Sequence, residues 1–279
     1  THLWEEHKMA DAIIVQNLRK NYGNHMVLNG LHFRVHRGEI FALLGGNGAG
    51  KTTTLTCMEG LQKYDSGSIT INGKIGIQLQ SASLPEHIKV MEAVQLFAMW
   101  NQAAPDKAML DALGMNKLAK MQYYQLSIGQ KRRLHLALAL TRDPDILFLD
   151  EPTAGLDVEG KTALHEQIRQ FQEMGKTIIL ASHNMDEVER LCNRIAILAE
   201  GKIAFIGTVE ELHEKVGKHY NILIRTDKGA ETYKTNQIGA ALPALLTQCK
   251  EQGRMISDIQ VARESLEQLL IKIQRRNEK

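Results

Sequence analysis

The sequence has little cysteine, little net charge and no long apolar run, and each shortage removes a class of function. Its 279 residues hold only three cysteines. Cys57, Cys192 and Cys249 stand far apart, with no CxxC or CxxxC spacing and no neighbouring histidine ligands. That argues against a zinc site and a disulfide framework and leaves reduced thiols of the core. Lysine and arginine outnumber aspartate and glutamate by only 34 to 32, so no large single-sign field points to nucleic acid or to an anionic membrane. No apolar run approaches the roughly 18 to 20 residues of a membrane-spanning helix, and the amino end lacks the positive, apolar, small-residue order of a secretion signal. Any membrane role requires a partner. The chain opens at Thr1, a natural-looking start begins at Met9, and residues 1–10 are set aside as an extraneous or disordered start.

What remains is a chain 43% apolar and 24% charged, long enough for one large domain plus a smaller unit. From residue 11 the pattern is strand-rich: AIIVQNL, LHFRVHRG, EIFALLGG and, after a helix, SGSITINGKIGIQLQ. Turn signals at Asn29-Gly30, Ser66-Gly67 and Asn72-Gly73 lie between them, which predicts one mixed sheet with antiparallel parts. Between residues 86 and 141 the period becomes helical, with Val90, Ala93, Val94 and Phe97, then Leu134, Ala137, Leu138 and Thr141, on shared faces. Two short apolar runs, DILFLDE and TIILASH, flank a helical segment and predict buried parallel strands joined by a crossover. RIAILAEGKIAFIG reads as a hairpin. Beyond residue 217 the pattern is strand (HYNILIRT), helix opening near Pro243, strand (RMISDIQVA) and a last helix with Leu266, Leu269, Leu270 and Ile273. No internal repeat or low-complexity segment appears.

EIFALLGGNGAGKTTTL places a buried strand, a match to G-x-x-x-x-G-K-[ST] over Gly45–Thr52, and a helix in that order. Backbone N–H groups of Gly45, Gly46, Asn47, Gly48, Ala49, Gly50, Lys51, Thr52 and Thr53 can converge on a polyphosphate at a helix N-terminus. Lys51 can neutralise the β and γ phosphates, and the Thr52 hydroxyl can ligate Mg²⁺. The run Ile146–Leu149 delivers Asp150 and Glu151 to the carboxyl end of a buried strand, where ligands of open α/β sheets bind. Asp150 suits the Mg²⁺ shell, and Glu151 is free to activate a water against the γ phosphate. His183 occupies the matching end of the next strand, and a lone histidine there is as readily a packed residue as a ligand. Tyr22, 29 residues before Lys51, can stack on an adenine or simply pack. Gln80 can reach the metal or the water, but Gln78 shares its strand face, and spacing does not choose between them.

Taken in order, Tyr22, GGNGAGKTT, IGIQLQ, LSIGQKRR, ILFLDEP, AGLD and SH resemble the full set of nucleotide-binding motifs of an ABC transporter ATPase subunit, over roughly residues 11 to 215. The resemblance implies an α/β fold: a P-loop NTPase RecA-like core with an antiparallel β subdomain and a helical subdomain. These would fill residues 11–216, the helical part at about 81–141, with a small α+β appendage over 217–279. It implies ATP and Mg²⁺ as ligands, with Tyr22 stacking the adenine, Gln80 joining Thr52 and Asp150 at the metal, and His183 contacting the γ phosphate. It further implies a dimer with a second copy or a sister subunit, each nucleotide lying between one subunit's phosphate loop and the other's Ser127, Gly129 and Gln130, with Asp157 linking the two sites. The implied partner is an integral membrane permease, and the implied location is peripheral, on the cytoplasmic face of the membrane. LPEHIKVMEAVQLFA and SLEQLLIKIQ resemble bacterial drug, antibiotic or lantibiotic exporters with separate membrane subunits.

Two departures stand out, Gly46 where many relatives have proline and Ile128 where the common signature has glycine. Ser127 and Gln130 also form a capping-box pattern, which is compatible with an anion site at the same helix start provided Ile128 keeps a negative φ. Competing readings are a soluble ABC protein acting on ribosomes or DNA, an ATP-binding regulatory module without turnover, and a small-molecule P-loop kinase. The last leaves LSIGQ and AGLD unexplained.

Overall fold

A computed structural model describes residues 11–78, 83–182, 184–216 and 220–263. The chain divides into two compact units, at Ile206 and Gly207.

In the first unit, β1 (Asp11–Tyr22), β2 (His25–His36) and β4 (Ser66–Ile71) form an antiparallel sheet in the order β2-β1-β4. A second sheet takes β3 (Ile40–Gly45), β5 (Ile75–Gln78), β6 (Ile146–Asp150), β7 (Thr177–Ala181), β8 (Arg194–Ala199) and β9 (Lys202–Gly207) in the order β5-β6-β7-β3-β8-β9, and its pairings from β5 through β8 are parallel. The strand-rich start is therefore two sheets rather than one mixed sheet. β3 leaves for the parallel sheet because Ile40 to Leu44 are apolar on both faces and fully buried, as a central parallel strand must be. The antiparallel sheet covers one face of the parallel one. Val15, Leu31 and Phe33 share a core with Phe41, Leu43, Phe148 and Ile179, and the Phe33 and Phe41 rings stack at 5.8 Å.

Two of the three turn signals prove to lie inside strands. Asn29-Gly30 belongs to β2, where Arg19 pairs with Asn29 and Leu18 with Leu31; Gly30 is the extra residue of a β-bulge, with φ +75°. Ser66-Gly67 opens β4, while Asn72-Gly73 does separate two strands. The β1-β2 reversal falls instead at Gly23 and Asn24, between the paired Tyr22 and His25. The expected hairpin at β8 and β9 turns on Glu200 and Gly201, with φ 49° and 71°, the left-handed pair a tight hairpin turn requires.

α1 (Lys51–Met58) follows β3. α2 (Val90–Trp100), α3 (Lys107–Ala112), two single 3₁₀ turns and α4 (Ile128–Ala139) make up the helical part, then α5 (Val158–Glu173) and α6 (Met185–Leu191) alternate with β7 and β8. The periodicity that predicted α2 and α4 marks their packed faces: Val90, Ala93, Val94, Leu134, Ala137 and Leu138 are all buried. α4 closes so tightly on β5 that a Cβ on Gly76 would stand 2.4 Å from the Ala139 carbonyl.

The second unit holds α7 (Val209–Val216), β10 (Tyr220–Thr226), β11 (Gly229–Thr235), α8 (Ile238–Glu251) and β12 (Ile256–Arg263), with the three strands antiparallel in the order β11-β10-β12. Its core is Ile222, Ile224 and Cys249, with Tyr233, Ala241, Leu242 and Leu245 against it. Two sequence expectations need correction. β11 is an additional strand, mostly exposed and carrying only Tyr233 as a large apolar residue, so it shows no alternation. α8 begins at Ile238, before Pro243. Burial of Ala241 and Leu242 carries the helix upstream of the proline at the cost of one backbone hydrogen bond. The helix expected over Leu266 to Ile273 lies outside the described residues.

Candidate nucleotide site

The loop from Gly45 to Lys51 is shaped by crowding. A Cβ on Gly45 would stand 2.5 Å from the Leu198 carbonyl, and one on Gly50 would stand 2.7 Å from Leu28 Cδ2. Gly50, at φ +100°, is also the residue from which α1 starts, so the backbone turns there in a conformation that favours glycine. Ala49 anchors the loop in the core, Asn47 and Gly48 form its exposed tip, and Ala49 N–H donates to the Gly46 carbonyl at 3.2 Å. Gly46 is not among the glycines with positive φ, so its backbone does not by itself require glycine. Lys51 Nζ donates to the carbonyls of Gly45 at 2.9 Å and Gly46 at 3.0 Å. Burial lowers its pKa, while the charges of Glu151 and Asp150 act in the opposite direction.

β7 lies between β3 and β6, so the parallel order brings Gly45, Asp150 and Ala181 to one edge of the sheet. Burial, reinforced by the adjacent Glu151, raises the Asp150 carboxyl, and the positive charges of Arg132 and Lys51 act against that rise. Glu151 sits at φ 49°. Its N–H donates to the Ala181 carbonyl at 2.9 Å and its carbonyl accepts from Ala154 N at 3.2 Å, bonds that hold a left-handed residue at a cost on the order of 1 kcal/mol. Sequence reasoning placed Glu151 but not this conformation, which local composition does not reveal. Thr52 is exposed at the start of α1.

Glu59, at the end of α1, is a feature the sequence reading missed. It is 5% exposed, neither carboxylate oxygen has a hydrogen-bond partner among the described residues, and burial together with the charge of Asp150 pushes its pKa to about 7. A carboxyl raised from 4.5 binds its proton more tightly in the folded chain, so its contribution to stability is complete below about pH 4.5 and is lost as pH rises through about 7. Glu59→Gln is expected to leave the melting temperature nearly unchanged at pH 5 and to stabilise the nucleotide-free protein by about 2–3 kcal/mol at pH 8.5. A difference between variant and parent that stays flat across that range would overturn this.

Tyr22 is 50% exposed at the end of β1, with the Lys20 ammonium 5.3 Å from its ring centre. Val27 and Leu28, just beyond its pairing partner His25, are the residues that crowd Gly50, so this end of the hairpin borders the loop. Gln78 closes β5 at 2% exposure, and its side-chain amide has no partner among the described residues. Gln80 and His183 lie outside the described residues. The two residues flanking position 183 are placed: Ser182 is buried after β7, and Asn184 caps α6 by accepting from Glu187 N at 3.3 Å.

The second cluster is the start of α4. Ser127 Oγ accepts from Gln130 N at 3.2 Å and Gln130 Oε1 accepts from Ser127 N at 2.9 Å, which is the expected capping box. Ile128 is the first helical residue, has no positive φ and is 59% exposed. A Cβ on Gly155 would stand 3.4 Å from Ile128 Cγ2, and one on Gly129 would stand 3.4 Å from Leu156 Cδ2, so the signature rests on the AGLD loop. Asp157 caps α5 by accepting from Gly160 N at 2.8 Å. A cavity of about 510 Å³ opens here, with Ser127, Gly129, Arg132 and Asp157 in its wall and no phosphate-loop residue. Arg132, in the wall of this cavity, also opposes with its charge the raised carboxyl of Asp150.

The family described as ABC transporter matches residues 28–154. The linearmycin resistance ATP-binding protein LnrL of Bacillus subtilis is 36% identical over 220 residues, which cover 72% of this chain and 71% of that protein. A Nod factor export ATP-binding protein I of Burkholderia lata is 40% identical over 205 residues, 67% of either chain. Among solved structures, an ATP-binding subunit of an ABC transporter superposes with a TM-score of 0.68 at 27% identity, covering 74% of this chain and 93% of that one. cbiO1 from Clostridium perfringens, part of the ABC transporter complex cbiONQ, gives 0.66 at 30% identity, with 74% and 92% covered. The chain belongs to the ABC transporter family, as an ATP-binding subunit.

Proposed function

We propose that the chain is the ATP-hydrolysing motor of an exporter whose membrane-spanning permease is a separate protein, and that it works as a dimer, with itself or a sister subunit, on the cytoplasmic face of the membrane. The observation that carries this reading is the separation of two half-sites on one chain. The phosphate loop shares one edge of the parallel sheet with Asp150 and Glu151, while the start of α4 and Asp157 line a cavity that has no phosphate-loop residue in its wall. Two copies, each offering its α4 start to the other's loop, complete two nucleotide sites. The names of the relatives, one a resistance protein and others export proteins, support the exporter direction. Among the described residues no helix is long and apolar enough to cross a membrane.

In this reading Lys51 and the N–H groups of Gly45 to Thr53 hold the phosphates of ATP, Tyr22 stacks on the adenine, and Ser127, Gly129 and Gln130 of one copy contact the γ phosphate bound by the other. Glu151 orients the attacking water and takes its proton as the bond to the γ phosphorus forms and the bond to ADP breaks, with His183 against the γ phosphate. Asp150 fits a hard cation, being a half-buried carboxylate whose neutralisation is already favoured by burial and by Glu151. Together with the exposed Thr52 hydroxyl and Gln80 it would hold Mg²⁺, which neutralises charge on the β and γ phosphates. A module that binds ATP without turnover has its best support in the altered signature, and the strain that would favour it further is absent, because Ile128 has no positive φ.

The test is specific activity against protein concentration. The purified chain with ATP and Mg²⁺ is expected to hydrolyse ATP without any phosphoryl acceptor, with turnover per subunit that rises as dilution is reversed and stops when the divalent cation is chelated. Turnover per subunit that is unchanged in dilutions where the chain is monomeric would overturn the shared-site reading.

A further inference from the structure

Another cavity, of about 340 Å³, lies within the first unit and has no residue of the nucleotide site in its wall. α3 and the segment before it close one side, through Ala103, Met109, Ala112 and Leu113. The turn after α4 closes another, from Leu140 to Asp143. The last turns of α5 close the third, with Gln167, Gln170, Phe171 and Met174 at helical spacing on one face. Packed interiors leave few voids larger than a water, and small-molecule pockets begin at roughly 300 Å³. Leu113, Leu140 and Phe171 give this one a buried apolar lining, and Met174, a flexible side chain 71% exposed, adapts its rim.

The charged groups of the wall are unevenly satisfied. Lys176 Nζ gives one donor to Asp143 at 2.5 Å and one to the Pro144 carbonyl at 2.8 Å, which leaves a third. The Asp143 side chain is 92% exposed, and an exposed pair of this kind is weak. Asp106, the other carboxylate, is committed to the N–H groups of Ala108 and Met109 at the start of α3. Arg142 makes no hydrogen bond or ion pair among the described residues. An apolar space with an unmatched guanidinium and a spare ammonium donor is complementary to an apolar body carrying a negative group.

One face of α5 lines both cavities of this unit: Gly160, Ala163 and Leu164 beside the α4 start, then Gln167, Phe171 and Met174 here. α3 ends between them. Gln167 Nε2 donates to the Ala112 carbonyl at 3.3 Å, and a Cβ on Gly114 would stand 3.5 Å from a guanidinium nitrogen of Arg133, in the wall of the α4-start cavity. Gln167 Oε1 is buried without a hydrogen-bond partner, so moving α3 from α5 breaks one bond of this amide rather than two.

We propose that this cavity is a regulatory site for a small amphipathic organic anion, its negative group on Arg142 and Lys176 and its apolar body on Phe171, Leu113 and Met109. An occupant wedges α3 from α5 and so changes the spacing of Ser127 and Asp157 at the other ends of α4 and α5. The effect on turnover rests on the reading of those residues as the half-site offered to a partner copy. The binding does not.

The probe is anilinonaphthalene sulfonate, whose fluorescence rises in apolar surroundings, compared with phenylnaphthylamine, the same body without the charge. Saturable sulfonate binding is expected on the full chain with ADP and Mg²⁺ already bound. Arg142→Gln is expected to weaken the sulfonate about tenfold and the neutral probe less than about twofold. Ala112→Phe, which fills the cavity from α3, is expected to weaken both by at least about tenfold. If it does not fold, Ala108→Phe on the same helix takes its place. Saturating sulfonate is expected to lower ATP turnover about twofold to fivefold, with the half-saturating ATP concentration shifted less than about threefold, and to lose that effect in the filled variant. Sulfonate affinity unchanged in Arg142→Gln and in the filled variant would overturn the site, as would displacement of the sulfonate by ADP. Binding as expected with unchanged turnover would overturn the regulatory role. A chain without any ATP turnover would bring down the motor reading and the regulatory role together, and the probe titrations alone would then decide the binding site.

Discussion

Glu151→Gln is expected to lower ATP turnover by about a hundredfold to a thousandfold while ATP binding is retained, so that a nucleotide-bound dimer accumulates. The amide matches the carboxylate in shape and leaves the backbone N–H on the Ala181 carbonyl, so the strained turn after β6 survives. What is lost is a base for the proton of the attacking water. A second consequence is electrostatic. Glu151 raises Asp150, so removing its charge lowers the Asp150 pKa and lets the polyphosphate approach one fewer negative group, which favours closure. Glu151→Gly separates strain from chemistry. It relieves the left-handed φ of 49° and is expected to raise stability by about 1 kcal/mol while turnover stays as low as in Glu151→Gln. Rates by phosphate release and dimer mass by light scattering with and without ATP are the measurements. Parental turnover in Glu151→Gln would remove Glu151 from the reaction.

The parts of the fold that were legible are those where one element carries its own pattern. β6 and β7 are short apolar runs because parallel strands are buried on both faces, and the α2 and α4 periods mark faces that pack. The loop at Gly45–Thr52 was legible because a glycine-rich turn between a buried strand and a helix carries its own pattern. Asn29-Gly30 misled because the left-handed backbone that glycine permits serves a bulge inside a strand as well as a turn between strands. The division into two sheets, the start of α8 before Pro243 and the exposed β11 depend on neighbours supplied by distant segments. The same holds for the candidate site. Asp150 and Glu151 could be placed from their strand, but the raised carboxyl of Glu59 and the effect of the Arg132 charge on Asp150 exist only once α1 and α4 have docked.

Lys51→Ala is expected to weaken ATP binding itself by about a hundredfold to a thousandfold, the opposite signature from Glu151→Gln. An ammonium has three donors and no acceptor. Two of those donors are committed to the Gly45 and Gly46 carbonyls, which holds the side chain over its own loop and leaves the third for a phosphate oxygen. The charge is thus placed before the ligand arrives, and binding does not have to order a long flexible side chain. The variant also removes a positive charge that acts against the raised pKa of Asp150, so a carboxyl meant to be ionised becomes harder to ionise. Lys51→Met, which keeps most of the volume, is expected to bind as poorly as Lys51→Ala if charge is the cause, and nearly as well as the parent if packing is. Lys51→Arg is expected to fail as well, because a planar guanidinium does not reproduce a compact ammonium seated on two adjacent carbonyls. Equilibrium titration with ATP is the deciding measurement, made both with the divalent cation present and with it chelated, because the proposed lysine contact with the phosphates would not require the metal. ATP affinity within about threefold of the parent in Lys51→Met under both conditions would show that the loop binds through its backbone alone.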